Sequence, residues 1–559
     1  MTIRVGDSET LRKDRGAFFT PPAIAEYLAQ WAVLDQPDAK IMDPTCGEAV
    51  FLLAAGRRLK DLGRDSSEIG QQLYGYDLHD ASLDWANSLL EDDGLEATLR
   101  EADFFTVATP DELLSQTPWM DAIIGNPPFV RYQRHIGAAR DRSKQAALQQ
   151  GVRLSNLASS WAALLVHASG FLKPEGRLAM VLPAELLTVA YAEPVREWLK
   201  KRFGQVHLVM FDRLQFDDAS ERVVLVLAAG SGGCDAFSLY YLDDADDLAQ
   251  VKPMSNQAAP VTDSGKWTHL FLSNTQRQLF QQVGADHFTP LGRYGKPELG
   301  IVTGANSYFA INDETRLRYG LSEDRHQVVR ICPPGTKHLK GLTFSIQSWK
   351  VLREAGEAVW LFRPDAQDDS PAVRNYIAEG ERQGVHLAYK CSIRSPWWRS
   401  PVVPAPDLYF TYMSHRYPRL VANSARMTFV NSMHGLRLLE GVPDESRDAI
   451  PLLAFNSMTM LGAELNGRSY GGGVLKMEPR EAATLPLPTF DGLREAWKIL
   501  KPQKATLERR LEKGEWTHVV KAVDEALLIR VLGLNRDQAA ELHDGARLLR
   551  ARRMGKASE

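Results

Sequence analysis

Cysteine is scarce in this sequence, and long apolar runs are missing from it. The longest apolar runs, such as 178–182 and 223–229, fall far short of the ~20 residues that a membrane-spanning helix requires. We therefore expect no membrane anchor. No two cysteines form a C-x-x-C pair, which argues against a zinc site and a disulfide framework and predicts reduced thiols and no bound metal. The four cysteines are widely scattered, at Cys46, Cys234, Cys332 and Cys391.

The sequence also lacks a strong charge excess and an apolar leader. A net charge of −4 is unusual for a protein that coats DNA, but it does not exclude one that grips DNA along a single face. Residues 1–16, MTIRVGDSETLRKDRG, contain no apolar stretch of the kind that a secretory signal needs, so we expect a cytoplasmic protein. At 559 residues with 44% hydrophobic content, the chain is long enough for more than one domain.

The first ~240 residues alternate short apolar runs with helical patterns, as βαβ units do. This alternation predicts a Rossmann-like, doubly wound, mostly parallel α/β sheet. In such sheets ligands bind beyond the carboxyl ends of the strands, so the chemistry is expected just after each strand. The candidate strands are 40–42, 72–76, 122–125, 178–182, 206–211 and 223–228.

The pattern changes near residue 243. A polar stretch, DDADDLAQVKPMSNQAAPVTDSGK, is followed by irregular sequence rich in glycine, proline and aromatic residues, and helical periodicity returns at 492–556. The sequence therefore predicts an α/β domain at 1–245, a second, mixed α/β domain at 246–490 and a helical segment at 491–559.

Acidic residues follow the first candidate strands. In IMDPTCGEAVFLLAA, Asp43 ends a strand and a loop with Cys46 and Gly47 leads into a helix, an arrangement that ordinary α/β proteins also contain. LYGYDLHD then places Asp77 at the end of the next strand, where a carboxylate can accept both hydroxyls of a ribose. The pair of strand ends is more specific than either alone.

A third acid follows in the segment EADFF. Asp103 can bond an adenine amino group there, and Phe104 can stack on the adenine ring. The three acids together fit a cofactor that contains a nucleoside.

The segment MDAIIGNPPFVRY carries the most specific pattern in the chain. An exocyclic amine on a heteroaromatic ring is a poor nucleophile because its lone pair is delocalised, and acceptors for both of its N–H groups return electron density to the nitrogen. Asn126 Oδ1 and the Pro127 carbonyl are two such acceptors. Pro127 and Pro128 fix the backbone, and Phe129 offers a flat surface for a flipped base. The alternative, a plain Pro-Pro turn, does not explain the companion motifs.

These residues resemble those of gamma-class amino-methyltransferases, and in particular N6-adenine DNA methylases that carry their own target-recognition domain. GAFFTPPAIAEYLAQWA resembles the N-terminal cofactor motif of that family and precedes DPTCGEAVF and NPPF in the same order. LGIVTGANSYFAI and NGRSYGGGVLKMEP are similar to segments of target-recognition domains, so the resemblance spans nearly the whole chain. One position departs: the family usually has a second glycine in the first loop, and this chain has Gly47-Glu48-Ala49.

The resemblance implies a class I methyltransferase fold that binds S-adenosylmethionine at 1–245 and a DNA target-recognition domain at 246–490. The implied reaction, typical of restriction-modification systems, methylates the N6 amine of a flipped adenine within a short sequence of double-stranded DNA. Thr20, expected to cap a helix with Pro21 at its first position, would help to hold the methionine end of the cofactor. Phe216, in LQFDDASERVVLVLAA, stands where the family places an aromatic against the flipped base, although core packing explains it equally well.

Basic and aromatic residues interleave between residues 383 and 437, where Asp407 is the only acid. Cations there would neutralise DNA phosphates. The alternative is a solvated face around an aromatic core. The predicted DNA-binding residues are Lys390, Arg394, Arg399, Arg416, Arg419 and Arg426.

Other functions use similar motifs. N4-cytosine methylation uses the same electronics, but more typically with Ser at the position of Asn126. Protein glutamine and RNA guanine methyltransferases also use Asn-Pro-Pro, but their substrates do not explain the second domain. A non-catalytic DNA-binding subunit of a restriction or phage-defence complex does not explain an intact Asn-Pro-Pro-Phe. No nuclease cluster is evident, so a cognate restriction endonuclease would be a separately encoded partner.

Overall fold

A computed structural model describes residues 20–113, 115–130, 136–211, 223–242, 244–250, 257–260, 266–470 and 473–554. The chain divides into two compact units, Met1–Leu270 and Phe271–Glu559, named here the N-terminal and C-terminal units. No described helix has the length and the apolar character needed to cross a membrane.

The N-terminal unit is built on one sheet with the strand order β3-β2-β1-β4-β5-β7-β6-β8-β9. Strands β3, β2, β1, β4 and β5 are parallel neighbours, whereas β7 is antiparallel to both β5 and β6. This arrangement confirms the predicted mostly parallel α/β fold. The strands are β1 Ile41–Asp43, β2 Leu73–Asp77, β3 Thr98–Glu101, β4 Met120–Gly125, β5 Leu172–Pro183, β6 Gln205–Phe211, β7 Val223–Ala229, β8 Ala236–Leu242 and β9 Gln257–Pro260.

The central strands of this sheet are buried, which is why they appear in the sequence as continuous apolar runs and not as alternating patterns. Every residue of β7 is buried, as are the last six residues of β5. The α-helices of the unit are Pro22–Val33, Val50–Asp61, Ser66–Ile69, Asp80–Asp92, Gly137–Gln149, Ser160–Ala168, Glu185–Thr188 and Glu193–Arg202.

The strand order brings four carboxyl ends together. Strand β1 lies between β2 and β4, and β3 lies beside β2, with Asp77 paired to Glu101 in register. Because these strands are parallel, Asp43, Asp77 and Asn126 follow or end adjacent strands at one edge of the sheet. The fold thus assembles residues that lie far apart in sequence.

The C-terminal unit contains four smaller sheets, with orders β10-β23, β11-β20-β16-β18-β14, β12-β15-β13-β19 and β17-β22-β21. Its strands are β10 Phe288–Pro290, β11 Gly295–Leu299, β12 Ala310–Ile311, β13 Val328–Cys332, β14 Thr343–Phe344, β15 Trp360–Phe362, β16 Leu408–Phe410, β17 Met413–Ser414, β18 Leu420–Asn423, β19 Thr428–Phe429, β20 His434–Leu438, β21 Arg468–Tyr470, β22 Val474–Lys476 and β23 Pro486–Pro488. Its α-helices are Asn274–His287, Asn306–Phe309, Asp313–Arg318, Ile346–Glu354, Pro371–Arg382, Tyr389–Ser392, Ser446–Leu453, Ser457–Asn466, Pro479–Ala483, Phe490–Leu500, Lys504–Glu512, Trp516–Asp524 and Arg536–Arg553.

The divisions of the chain differ from those predicted from composition. The units divide at residues 270 and 271, after Trp267, which is 2% exposed, packs on Phe237 and donates its backbone N–H to the Leu187 carbonyl at 2.7 Å. The predicted helical segment after residue 490 shares one hydrophobic core with the sheets before it, since Trp497 and Leu542 pack in the same cluster as Leu408.

Candidate functional site

Asp43, the last residue of β1, is buried, and its two carboxylate oxygens differ in their hydrogen bonds. Its Oδ1 accepts the backbone N–H of Thr45 at 3.0 Å, whereas Oδ2 has no hydrogen-bond partner among the described residues. Burial raises the pKa of Asp43 to about 7, against the opposing effect of the Thr45 N–H. A Cβ at Gly125 would lie 2.7 Å from Asp43 Oδ1, so a larger residue at the end of β4 would displace the Asp43 carboxylate.

The loop after β1 is bonded to the end of β2. Gly47, with φ of +50°, donates its N–H to Asp77 Oδ2 at 3.1 Å, and Cys46 donates its N–H to the Tyr76 carbonyl at 2.8 Å. The Cys46 thiol is buried, and burial raises its pKa. The other oxygen of Asp77 accepts the N–H of His79 at 2.9 Å, and each oxygen keeps a lone pair for a ligand hydroxyl.

Ala49 stands in the loop Gly47-Glu48-Ala49, which lacks the second glycine that the family usually has. Its φ is +59°, in the left-handed region that glycine adopts at no steric cost, and it is the residue just before the helix Val50–Asp61. The loop therefore holds an alanine in a backbone region that favours glycine.

Asp103 and Phe104 are engaged by other residues. Asp103 Oδ1 accepts the N–H of Phe105 at 3.2 Å, and Oδ2 accepts the Nε–H of Arg142 at 2.9 Å. Phe104 is 3% exposed and contacts the rings of Tyr76, His167 and Phe171 at centroid distances of 5.3, 5.2 and 5.2 Å. Of the two neighbouring phenylalanines, Phe104 is buried and Phe105 is half-buried.

Asn126, directly after β4, presents an acceptor to which none of the described residues donates. Its Nδ2 donates to Thr20 Oγ1 at 3.2 Å, while Oδ1 is buried and has no partner in the described part of the chain. Thr20 was expected to cap the first helix, but the helix is Pro22–Val33 and its cap is Pro21. The Thr20 hydroxyl accepts a hydrogen bond from Asn126 instead. A buried unpaired acceptor is costly and requires an explanation.

Ser160 holds the loop that follows Asn126. Its hydroxyl accepts the N–H of Val130 at 3.0 Å and donates to the Pro128 carbonyl, and its own N–H donates to the Val130 carbonyl at 3.0 Å. Phe129, between these two loop residues, is 8% exposed. Sequence analysis missed Ser160, although two serines before the apolar run WAALLV are typical of a helix start.

The remaining predictions for this unit concern Phe216, metal binding and the cysteines. Phe216 lies outside the described residues. Among the residues that the structure describes, no group of three or more His, Cys, Asp or Glu is arranged to hold a metal ion. All four cysteines are free.

The six basic residues predicted to bind DNA divide into two groups. Three are bonded internally: Arg394 to the Val302 and Thr303 carbonyls, Arg399 to Asp365, and Arg419 to the Lys340 carbonyl. Burial also lowers the pKa of Arg419 to about 10. The other three, Lys390, Arg416 and Arg426, are exposed, although Arg416 also donates to the Gly514 carbonyl at 3.5 Å.

Comparisons with known proteins match both units. The sequence profile of the N-6 DNA methylase family matches residues 7–237, and that of the C-terminal domain of the type II methyltransferase M.Eco57I matches residues 264–528. The type II methyltransferase M.AccI of Acinetobacter calcoaceticus is 23% identical over 486 residues, covering 84% of this chain and 84% of that protein.

A second relative has similar coverage. The type II methyltransferase M.XamI of Xanthomonas campestris pv. amaranthicola is 23% identical over 493 residues, covering 86% of each chain. The solved structure of the type IIG restriction endonuclease BpuSI is 14% identical, with a TM-score of 0.44, and the match covers 98% of this chain and 67% of that one.

Proposed function

Because the chain is an S-adenosylmethionine-dependent DNA methyltransferase, with an N-6 DNA methylase domain and a C-terminal domain of the M.Eco57I type, we propose that it methylates the N6 amine of adenine. The target adenine is flipped out of double-stranded DNA at a short recognition sequence. Asn126 Oδ1, which has no partner among the described residues, carries the assignment of an exocyclic amine as the target, and the match to the N-6 DNA methylase family favours adenine.

Two fixed acceptors suit the chemistry of an aromatic amine. Thr20 accepts from Asn126 Nδ2, which leaves Oδ1 for one N–H of the target amine. Among the described residues no donor bonds the Pro127 carbonyl, the acceptor for the other N–H. Ser160 holds the next carbonyl and restrains the loop, so both acceptors are positioned before the base arrives. The reaction needs no charged base at this point.

The aromatic residues have supporting roles in this proposal. Phe129 stacks on the flipped base, and Phe216 packs against it from the later motif. Pro128 keeps the loop rigid because its ring fixes φ. These roles follow from the resemblance to amino-methyltransferases and from the positions of Pro128 and Phe129 directly after Asn126.

The strand-end residues fit the cofactor. Asp43 Oδ2 is a buried carboxylate oxygen to which no described residue donates, and a cationic ligand beside it would stabilise its ionised form. When bound, S-adenosylmethionine supplies an electrophilic methyl group on a positively charged sulfur. The residues proposed to hold it are Thr20, Asp43, Cys46, Gly47, Asp77, Asp103 and Phe104.

Asp77 and Asp103 would bind different parts of the nucleoside. Asp77 is half-exposed at the end of β2 and accepts the ribose hydroxyls, while Asp103 accepts the adenine amine. The Arg142 ion pair occupies one oxygen of Asp103, so this contact uses a remaining lone pair. Phe104 supports the same site from within its aromatic cluster, and Phe105 lies next to it.

DNA contacts are proposed for the C-terminal unit. The exposed Lys390, Arg416 and Arg426 bind phosphates, whereas Arg394, Arg399 and Arg419 act through the local structure that they stabilise. We place catalysis in 1–245 and target recognition in 246–490, supported by the helical segment 491–559. A cognate restriction endonuclease would be a separate protein, and the methyltransferase would act in the cytoplasm.

The product distinguishes adenine from the alternative base. DNA from a methylation-free host that expresses this chain is digested to nucleosides and analysed by mass spectrometry, with DNA from a host that expresses Asn126→Ala as the control. N6-methyladenine should appear only with the unaltered chain. A rise in N4-methylcytosine without N6-methyladenine would show that the target base is cytosine.

A further inference from the structure

The short turn at 384–394 in the C-terminal unit directs large apolar side chains outward. Leu387, Tyr389 and Ile393 are 73%, 72% and 64% exposed. Lys390 is exposed among them, with its Nζ 5.3 Å from the centre of the Tyr389 ring. Tyr389 and Ile393 are four residues apart across one helical turn, so their side chains share a face. We name these four residues the 387–393 tip.

The opposite face of the turn is firmly anchored. Cys391 is fully buried in a hydrophobic cluster, and Val385 packs against the same cluster. The Arg394 guanidinium donates to the carbonyls of Val302 and Thr303 at 3.0 and 3.1 Å, and the Cys391 thiol donates to the Thr303 carbonyl at 3.6 Å. The apolar exposure of the tip is therefore not the fraying of a loose loop.

Gly304 completes this support. A Cβ at that position would lie 2.8 Å from Lys390 Cβ and 3.1 Å from Cys391 Sγ, and its φ of +91° also requires glycine. The loop that carries Gly304 can approach the turn closely only because the side chain is missing. The outward side chains thus stand on a fixed base, an arrangement that suits residues with a positional task.

We propose that the 387–393 tip inserts into the base stack of bound double-stranded DNA. Of the four basic residues between 382 and 399, Arg382 and Arg399 form ion pairs with acids outside that segment, whereas in the described part of the chain no carboxylate pairs with Lys390. Duplex DNA matches both properties, because it offers apolar base faces next to phosphates. An apolar protein partner would leave the Lys390 charge without a counter-ion.

Insertion has a defined role in a reaction that extrudes a base. Aliphatic and aromatic wedges unstack base steps at a cost of a few kcal/mol, and a stacked aromatic recovers roughly 1–3 kcal/mol per base. Leu387 and Tyr389 would occupy the opened step, while Lys390 binds a flanking phosphate. This inference rests on the proposed function only in taking double-stranded DNA as the substrate, whichever base is methylated.

The test compares two serine variants of the full chain. The first combines Leu387→Ser and Tyr389→Ser; the matched control is Leu317→Ser, which alters a side chain that is 64% exposed elsewhere in the same unit. The probe is a duplex that contains the sequence methylated by the enzyme in plasmid DNA. We expect the double variant to bind about tenfold more weakly or worse, with an unchanged melting temperature and an unchanged dependence of affinity on salt.

Two further measurements separate insertion from simple charge attraction. Lys390→Ala should lower the slope of log affinity against log salt by about one. A 2-aminopurine placed at the target position should fluoresce less with the double variant, since less base is unstacked. Product identity, measured separately at saturating DNA, reports on the target base and not on the tip.

Other results would overturn the proposal. Unchanged DNA affinity in the double variant excludes insertion, and an equal loss in Leu317→Ser shows a general effect of removing exposed apolar groups. If the double variant abolishes self-association in sedimentation experiments while DNA affinity stays the same, the tip is a contact between copies of this chain.

Discussion

The strand ends of the N-terminal unit and the basic stretch 383–437 of the C-terminal unit use their polar groups in opposite ways. At the strand ends, Asp43 Oδ2 and Asn126 Oδ1 are buried acceptors without donors among the described residues. In the basic stretch, Arg394 and Arg419 donate hydrogen bonds to backbone carbonyls of their own unit.

The difference shows that a short motif and a basic composition predict different things about a folded protein. The Asn-Pro-Pro-Phe motif specifies a local geometry within four residues, and in the described part of the chain the folded structure leaves Asn126 Oδ1 without a partner. A basic composition specifies only charge, and a guanidinium with five N–H donors is also well suited to bonding loops together. A positively charged residue in such a stretch is therefore as well suited to stabilising the fold as to binding DNA.

Removing the unpaired acceptor should have the largest effect. Asn126→Ala should lower the methyl-transfer rate on the order of 10²-fold or more, because a preorganised acceptor for the amine is lost. Cofactor binding, measured by calorimetry, should stay close to that of the unaltered protein. Thr20→Val keeps the amide but loses the hydroxyl that orients it, so its loss should be smaller. Near-normal transfer by Asn126→Ala would refute the mechanism.

Loosening the support of that acceptor should cost less. Ser160→Ala removes the hydroxyl that bonds Pro128 and Val130, and we expect kcat to fall about tenfold, equivalent to about 1.4 kcal/mol. The KM for cofactor should change little. Ser159→Ala is the matched control, since Ser159 accepts from Tyr191 and not from the loop. Equal effects from the two serines would mean that Ser160 acts only through helix stability.

A buried acid with both oxygens bonded sharpens the contrast with Asp43. Ser457 donates its N–H to Asp524 Oδ1 at 2.8 Å and its hydroxyl to Oδ2 at 2.6 Å, yet burial still raises the pKa of Asp524 to about 7. The folded protein then holds this proton more tightly than the unfolded chain does. The resulting stability is fully present below pH 3.8 and is lost as the pH rises to about 7.

Asp524→Asn isolates that contribution. Between about pH 4 and pH 7, the stability of the unaltered protein relative to the variant should fall by about 1.4 kcal/mol per pH unit, measured by denaturant unfolding. His543, whose Nδ1 lies 3.3 Å from the Ser457 hydroxyl, has a pKa lowered by burial and is present in both proteins. Parallel pH profiles for the two proteins would contradict the raised pKa.

The two groups of basic residues should separate in their salt dependence. Arg416→Ala and Arg426→Ala should each reduce the slope of log affinity against log salt by about one. Arg394→Ala should instead lower the melting temperature, because three backbone carbonyls lose a donor. If Arg394→Ala changes the salt slope and leaves the melting temperature unaltered, the division between exposed and internally bonded arginines is wrong.

The smallest effect is expected at Ala49. Ala49→Gly relieves a left-handed backbone that costs about 1–2 kcal/mol, but it loses a buried methyl worth about 0.8 kcal/mol and adds chain entropy, so the free energy of unfolding should change by less than about 1 kcal/mol. Ala49→Val should be clearly more destabilising, because a β-branched side chain resists this φ. Equal melting temperatures for the Gly and Val variants would argue against the left-handed conformation.

Strands were predicted correctly where burial requires a run of apolar residues. The six predicted strands correspond to β1, β2, β4, β5, β6 and β7, each an apolar run. Strands β3, β8 and β9 were not predicted. Strand β3, with the sequence TLRE, is an edge strand whose residues are half-buried or exposed, and β9 is the opposite edge strand. Strand β8, with the sequence AFSLYYL, has an apolar pattern that the prediction overlooked. Polar edge strands lack the apolar signal on which such predictions depend.

The sequence by itself determined the sheet of the N-terminal unit, the acids at its strand ends and the position of Asn126. These follow from local patterns: apolar runs, turn residues and a short motif whose chemistry is contained within four residues. For the same reason it showed that cations are concentrated in the C-terminal unit, but not which of them are free to meet DNA.

The tertiary structure decided which polar atoms remain unpaired, because hydrogen bonds join residues that are distant in sequence. The bond that turns the Asn126 amide comes from Thr20, 106 residues away, and the hydroxyl that holds the Pro128 carbonyl comes from Ser160, 32 residues away. The 387–393 tip likewise depends on Gly304. Such pairings are set by packing distances, which no local pattern encodes.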